Sequence, residues 1–153
     1  MDGSGCPCTI IDMPPDIHQL LEALTRLAVR ILGDEESFPP SGATIGSGGE
    51  ISFTKAHEGE GYEEPEAQIA LLQSSFQQAA VMGQIRACAF AVDVRVEDPR
   101  DQEETEAILV SAETEKGEAM DIFVPYSREP DLELGHPFAS ERDSRVFVTG
   151  EPS

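Results

Sequence analysis

PEAQIALLQSSFQQAAVMGQIRACAFAVDVRV, residues 65–96, organises the chain. Pro65 suits a first helical position, where its missing N–H costs nothing, and Glu63, Glu64 and Glu66 complement the positive helix N-terminus. Ile69, Leu72, Phe76, Ala79 and Ala80 recur at spacings of three and four, the apolar stripe of an amphipathic helix. Gln68, Gln73, Gln77 and Gln78 fill its wetter side, and Gly83 suits the left-handed residue that ends it. Residues 85–96 then alternate as a strand. Cys88, Phe90, Val92, Val94 and Val96 point one way, suited to packing under that helix, while Ala87, Ala89, Ala91, Asp93 and Arg95 point the other. The alanine face is apolar but shallow. It calls for a close-approaching cover, either an earlier helix or a partner chain, which makes Ala87, Ala89 and Ala91 a candidate interaction surface.

Upstream, Pro14-Pro15-Asp16 opens a first helix with a wide stripe of Ile17, Leu20, Leu21, Leu24, Leu27, Ala28, Ile31 and Leu32, closed by Gly33. His18 and Glu22 sit four apart on it but lack the second histidine of a zinc-protease helix. After a polar connection, residues 43–45 and 50–55 read as two short strands joined by Gly46-Ser47-Gly48-Gly49. Those glycines lead into Ile51-Ser52-Phe53 rather than a helix and carry no Gly-Lys-Ser, so they form a hairpin turn and not a phosphate loop.

Downstream, 97–104 is a charged loop broken by Pro99. Residues 105–114 and 118–126 read as strands around a tight turn at Lys116-Gly117, completing a three-stranded meander with 85–96. Residues 1–13 read as a flexible tail, 14–126 as one α+β domain, and 127–153 as a turn-rich segment docked on it. Within that segment Arg145 to Val148 is a candidate edge strand or docking piece.

Thirty acidic residues against ten basic give a net charge of −20, which opposes nonspecific attraction to nucleic acid or to an anionic membrane. A well-hydrated repulsive surface, a salt-adapted host and a decoy for a basic partner all fit this charge. Apolar residues make up 39%, enough for a core in 153 residues without metals or disulfides. No run long enough to span a bilayer and no signal-peptide pattern is visible, and three cysteines give no disulfide framework. A cytoplasmic location is expected.

Weak metal candidates are the soft pair Cys6 and Cys8, and the oxygen- and nitrogen-bearing loop with His57, Glu58 and Glu60. The first supplies half of a structural zinc set, and the second lacks the calcium-loop pattern of an EF-hand. There is no nucleophile elbow and no histidine near Cys88 in sequence. Asp93, Glu113 and Asp121 lie on neighbouring strands, where two of them could face each other as an acid–base pair. No catalytic or cofactor motif is present, and a noncatalytic chain is expected.

The order α-β-β-α-β-β-β yields a five-stranded antiparallel sheet with two main helices. This order resembles the roadblock and profilin-like architecture, which implies a dimeric scaffold or regulator. The phrases Phe38-x-Pro40-x-Gly42-Ala43, Gln84-Ile85-Arg86-Ala87, Val92-Asp93-Val94-Arg95-Val96 and Val124-Pro125-Tyr126 also resemble a group of small uncharacterised bacterial α+β proteins. That second resemblance brings no activity with it. The expectation is a homodimeric interaction module using the outer helix or a sheet edge. The alternatives are an acidic inhibitor or immunity-type protein for a basic partner, and a small metal-dependent binder or enzyme.

Overall fold

A computed structural model describes residues 13–34, 40–55, 65–99, 101–127, 132–141 and 146. The chain runs α1 (Pro15–Leu32), β1 (Ser41–Gly46), β2 (Ile51–Lys55), α2 (Pro65–Val81), β3 (Ile85–Glu97), β4 (Glu104–Thr114), β5 (Ala119–Ser127), β6 (Glu133–Leu134) and β7 (Phe138–Glu141). This is an α+β fold with two helices and an antiparallel sheet.

Among the described residues the sheet has seven strands rather than the expected five, in the order β2-β1-β3-β4-β5-β6, with β7 also on β5. The two additional strands come from the segment after 127. β6 pairs with Tyr126 and Ser127, and β7 with Met120 to Phe123, so together they form one interrupted edge strand. The break has a cause. Thr114 N–H donates to the Glu118 carbonyl, so alternation turns the nitrogen of Pro125 toward this outer edge, where it offers no donor. There Gly135 N–H donates to the Pro125 carbonyl, and the chain resumes pairing at Phe138.

Both expected hairpin turns form by the same device. Gly49 (φ 98°) and Gly117 (φ 89°) each take the left-handed position that closes a short loop. Gly46 N–H donates to the Glu50 carbonyl in one, and Thr114 N–H to the Glu118 carbonyl in the other. Gly83 (φ 71°) ends α2, with Gly83 and Gln84 N–H donating back to the Ala80 and Ala79 carbonyls.

The two helices take opposite faces of the sheet. On one, α1 buries Ile17, Leu20, Leu24, Ala28 and Leu32 against inward residues of β1, β3, β4 and β5. On the other, Leu72 and Phe76 of α2 meet Cys88, Phe90 and Val92 of β3. Gly42 of β1 lets α2 come close, since a Cβ there would lie 2.8 Å from Phe76 Cζ and 3.0 Å from Leu72 Cδ2.

Strand β3 carries one irregularity that the alternation did not reveal. Ile85 is opposite Gly46 and Ala87 is opposite Ile45, so Arg86 is an extra residue, a bulge. The bulge leaves Ile85 on the α2 side and turns Arg86 toward α1. There its Nε and Nη2 donate to the two carboxylate oxygens of Asp16, at 3.0 and 3.2 Å. A two-pronged bond of this kind fixes the angle at which α1 enters the sheet.

Candidate functional site

Ala87, Ala89 and Ala91 are at most 1% exposed, and they pack in the α1 core. Their short side chains let α1 sit close to the sheet. Of the two covers that the sequence allowed, the helix occupies the face, so these alanines are core and not an interaction surface. Cys6, Cys8, His57, Glu58 and Glu60 lie outside the described residues. Among the described residues, no group of three or more histidine, cysteine or acidic side chains is placed to hold a metal ion.

The three strand carboxylates separate. Asp93 is on the α1 side of the sheet, where the Tyr126 hydroxyl donates to its Oδ1 at 2.8 Å. Burial first, then the Asp93 hydrogen bond and charge and the charge of Glu106, push the Tyr126 phenol well above its ordinary 10.0. It is a neutral donor in the physiological range, not a base or nucleophile. Glu113 and Asp121 share the α2 side, but each has its own partner. Ser111 Oγ donates to Asp121 Oδ1 at 2.7 Å, and the Val146 backbone N–H donates to Glu113 Oε1 at 2.9 Å.

Glu113 is 1% exposed and stands opposite Cys88 across the β3–β4 ladder. Gln73, Phe76, Phe90 and Ser111 join them around a cavity of about 10 Å³, room for about one water. Small-molecule pockets begin near ~300 Å³, so this space is too small for an organic ligand. Glu113 thus holds the backbone of Val146 against the sheet. No histidine of the described set is near it in the sequence, and His18 and His136 are both exposed.

A different kind of site emerges on the outside. Residues 67–85 contain no charged side chain in a chain that is 26% charged. On the outer side of α2 and in the turn after it, Leu71 is 47% exposed, Val81 85% and Met82 68%. Large apolar side chains exposed on a helix mark a surface suited to contact. Strand β2, next to it at the end of the sheet, shows Ile51 at 37% and Phe53 at 57% exposure. Their cross-strand partners Ile45 and Ala43 lie under α1, whose cover stops short of β2. Ser47 N–H donates to the Gln84 carbonyl at 3.1 Å, tying the β1–β2 turn to the end of α2. Ile51 and Phe53 thus lie on the α1 face and the outer side of α2 on the other, and the two uncharged surfaces meet at the end of the sheet through the β1–β2 turn.

The sequence reading missed Leu71, Val81, Met82, Ile51 and Phe53 because it looked for residues that a fold would bury. The absence of charge from 67 to 85 was the available signal. No helix among the described residues is long and apolar enough to cross a membrane. In comparisons with family models, curated proteins and solved structures, nothing matches this chain, so the roadblock and profilin-like likeness stays one of element order.

Proposed function

We propose that this protein is a noncatalytic interaction module that self-associates as a homodimer through the flank formed by β2 and the outer side of α2. One observation carries the reading: exposed Leu71, Val81 and Met82 sit in a segment without charge, in a chain of net charge −20. Two such chains repel over most of their surface, and a neutral apolar flank is where they meet without opposing carboxylates.

Sedimentation velocity from about 1 to 100 μM, spanning ordinary micromolar affinities, tests it. The wild type runs as a dimer at the upper end. Leu71→Glu with Met82→Glu returns it to monomer and, at about 1 μM where both are monomeric, leaves the unfolding free energy within about 1 kcal/mol of wild type, because both side chains are exposed. A monomeric wild type throughout contradicts the reading.

The net charge supports a second reading, capture of a basic partner by surface carboxylates. Salt separates the two. Screening weakens binding to a basic partner, whereas it strengthens contact between two chains of like charge.

A further inference from the structure

The two edges of the sheet are protected very differently. The β6/β7 edge is short, is interrupted at Gly135 to Pro137 and begins at Glu133. Short strands, charge and proline are the usual means of stopping a sheet edge from pairing with another chain. Strand β2 is short too, but across Ile51-Ser52-Phe53-Thr54 it carries neither charge nor proline, and Lys55 is its one charge. It is the terminal strand of the sheet among the described residues.

Hydrogen-bond alternation shows which groups it offers. Gly46 N–H donates to the Glu50 carbonyl, so Thr44 with Ser52 and Gly42 with Thr54 are the next pairs facing each other within the β1–β2 ladder. Ile51, Phe53 and Lys55 therefore aim their N–H and C=O groups away from β1.

We infer that the β2 edge is completed by β2 of a second copy, paired antiparallel about a two-fold axis perpendicular to the sheet, which makes one continuous sheet across the dimer. This rests on the self-association proposed above and specifies its contact. Three features select a second copy over another occupant. Antiparallel pairing of a strand with itself consumes each copy's β2 edge and stops at two. Residues 51–54 carry no carboxylate, so the pairing does not oppose the charges that repel the two chains elsewhere. A basic peptide would be drawn to the carboxylates that this strand lacks.

Phe53→Pro tests this selectively. It removes an outward-facing N–H while leaving the β1–β2 hydrogen bonds in place. Sedimentation equilibrium should show the dimer dissociation constant raised roughly 30-fold or more, whereas Phe53→Thr, which keeps the N–H, should raise it only a few-fold. A dimer unaffected by Phe53→Pro but lost in the Leu71→Glu, Met82→Glu variant overturns the strand pairing and leaves self-association standing. A wild type that never dimerises removes both. The Phe53 amide of the wild-type protein, followed by NMR hydrogen exchange, gives a readout that needs no variant to fold. Its protection should rise with protein concentration. Protection that is equal in monomer and dimer, as intramolecular cover would give, or absent in both, contradicts the proposal.

Discussion

Helix α1 and helix α2 flank the same sheet, yet they solve different problems. α1 concentrates Ile17, Leu20, Leu24, Ala28 and Leu32 on its inner side, all at 2% exposure or less, and presents His18, Glu22, Arg26 and Arg30 outward. α2 buries Leu72 and Phe76 and after Glu66 carries only apolar and neutral residues. A helix charged on its outer side is finished by water, whereas exposed Leu71 and Val81 on α2 leave apolar surface suited to contact. The α1 face is also sealed by apolar side chains, while the α2 face holds a buried carboxylate and a small opening. The first face supplies stability, and the second leaves room for contact.

The largest expected effect lies on the sealed face. Leu24→Ala should cost about 3 kcal/mol in urea unfolding, and Leu72→Ala on the α2 face about 2 kcal/mol, because the less enclosed site can relax around the cavity. Equal losses would erase the distinction. Next, Gly42→Ala forces a methyl against Phe76 and Leu72 and should cost about 1–3 kcal/mol, part of which Phe76→Leu restores in a double-mutant cycle.

Tyr126→Phe should cost about 1–2 kcal/mol near neutral pH by removing the bond to Asp93. Because the folded phenol titrates above the unfolded one at 10.0, the folded state holds its proton longer. Its contribution is complete below pH 10 and declines as the unfolded chain ionises above it. The variant should therefore lose less stability above pH 10 than the wild type does. The smallest expected effect is that of Arg86→Gln, about 1 kcal/mol and reduced by salt, since the Asp16 pair is half-buried.

Much of this fold was legible in the sequence, because its signals are local. The stripe of α1, the glycines at 49, 83 and 117, and the alternation from Cys88 to Val92 each specify their own element. Three features were not legible. The Arg86 bulge depends on what lies across the ladder at Gly46 and Ile45, which a single strand's pattern does not record. Strands β6 and β7 are short and broken beside Pro125, so their period is too brief to register; of the candidate piece 145–148 only Val146, bonded to Glu113, lies among the described residues. The alanine face suited either an internal or an external cover, since a short side chain signals close approach without naming the neighbour. The exposed apolar flank was marked only by missing charge, a weaker cue than a periodic one.

Hydrogen–deuterium exchange of the whole wild-type chain, measured at concentrations below and above dimer formation, tests the division between the two helices most directly. Concentration should slow exchange in peptides covering β2 and α2 and leave those covering α1 unchanged. Slowing confined to α1, or no concentration dependence anywhere, would contradict the account.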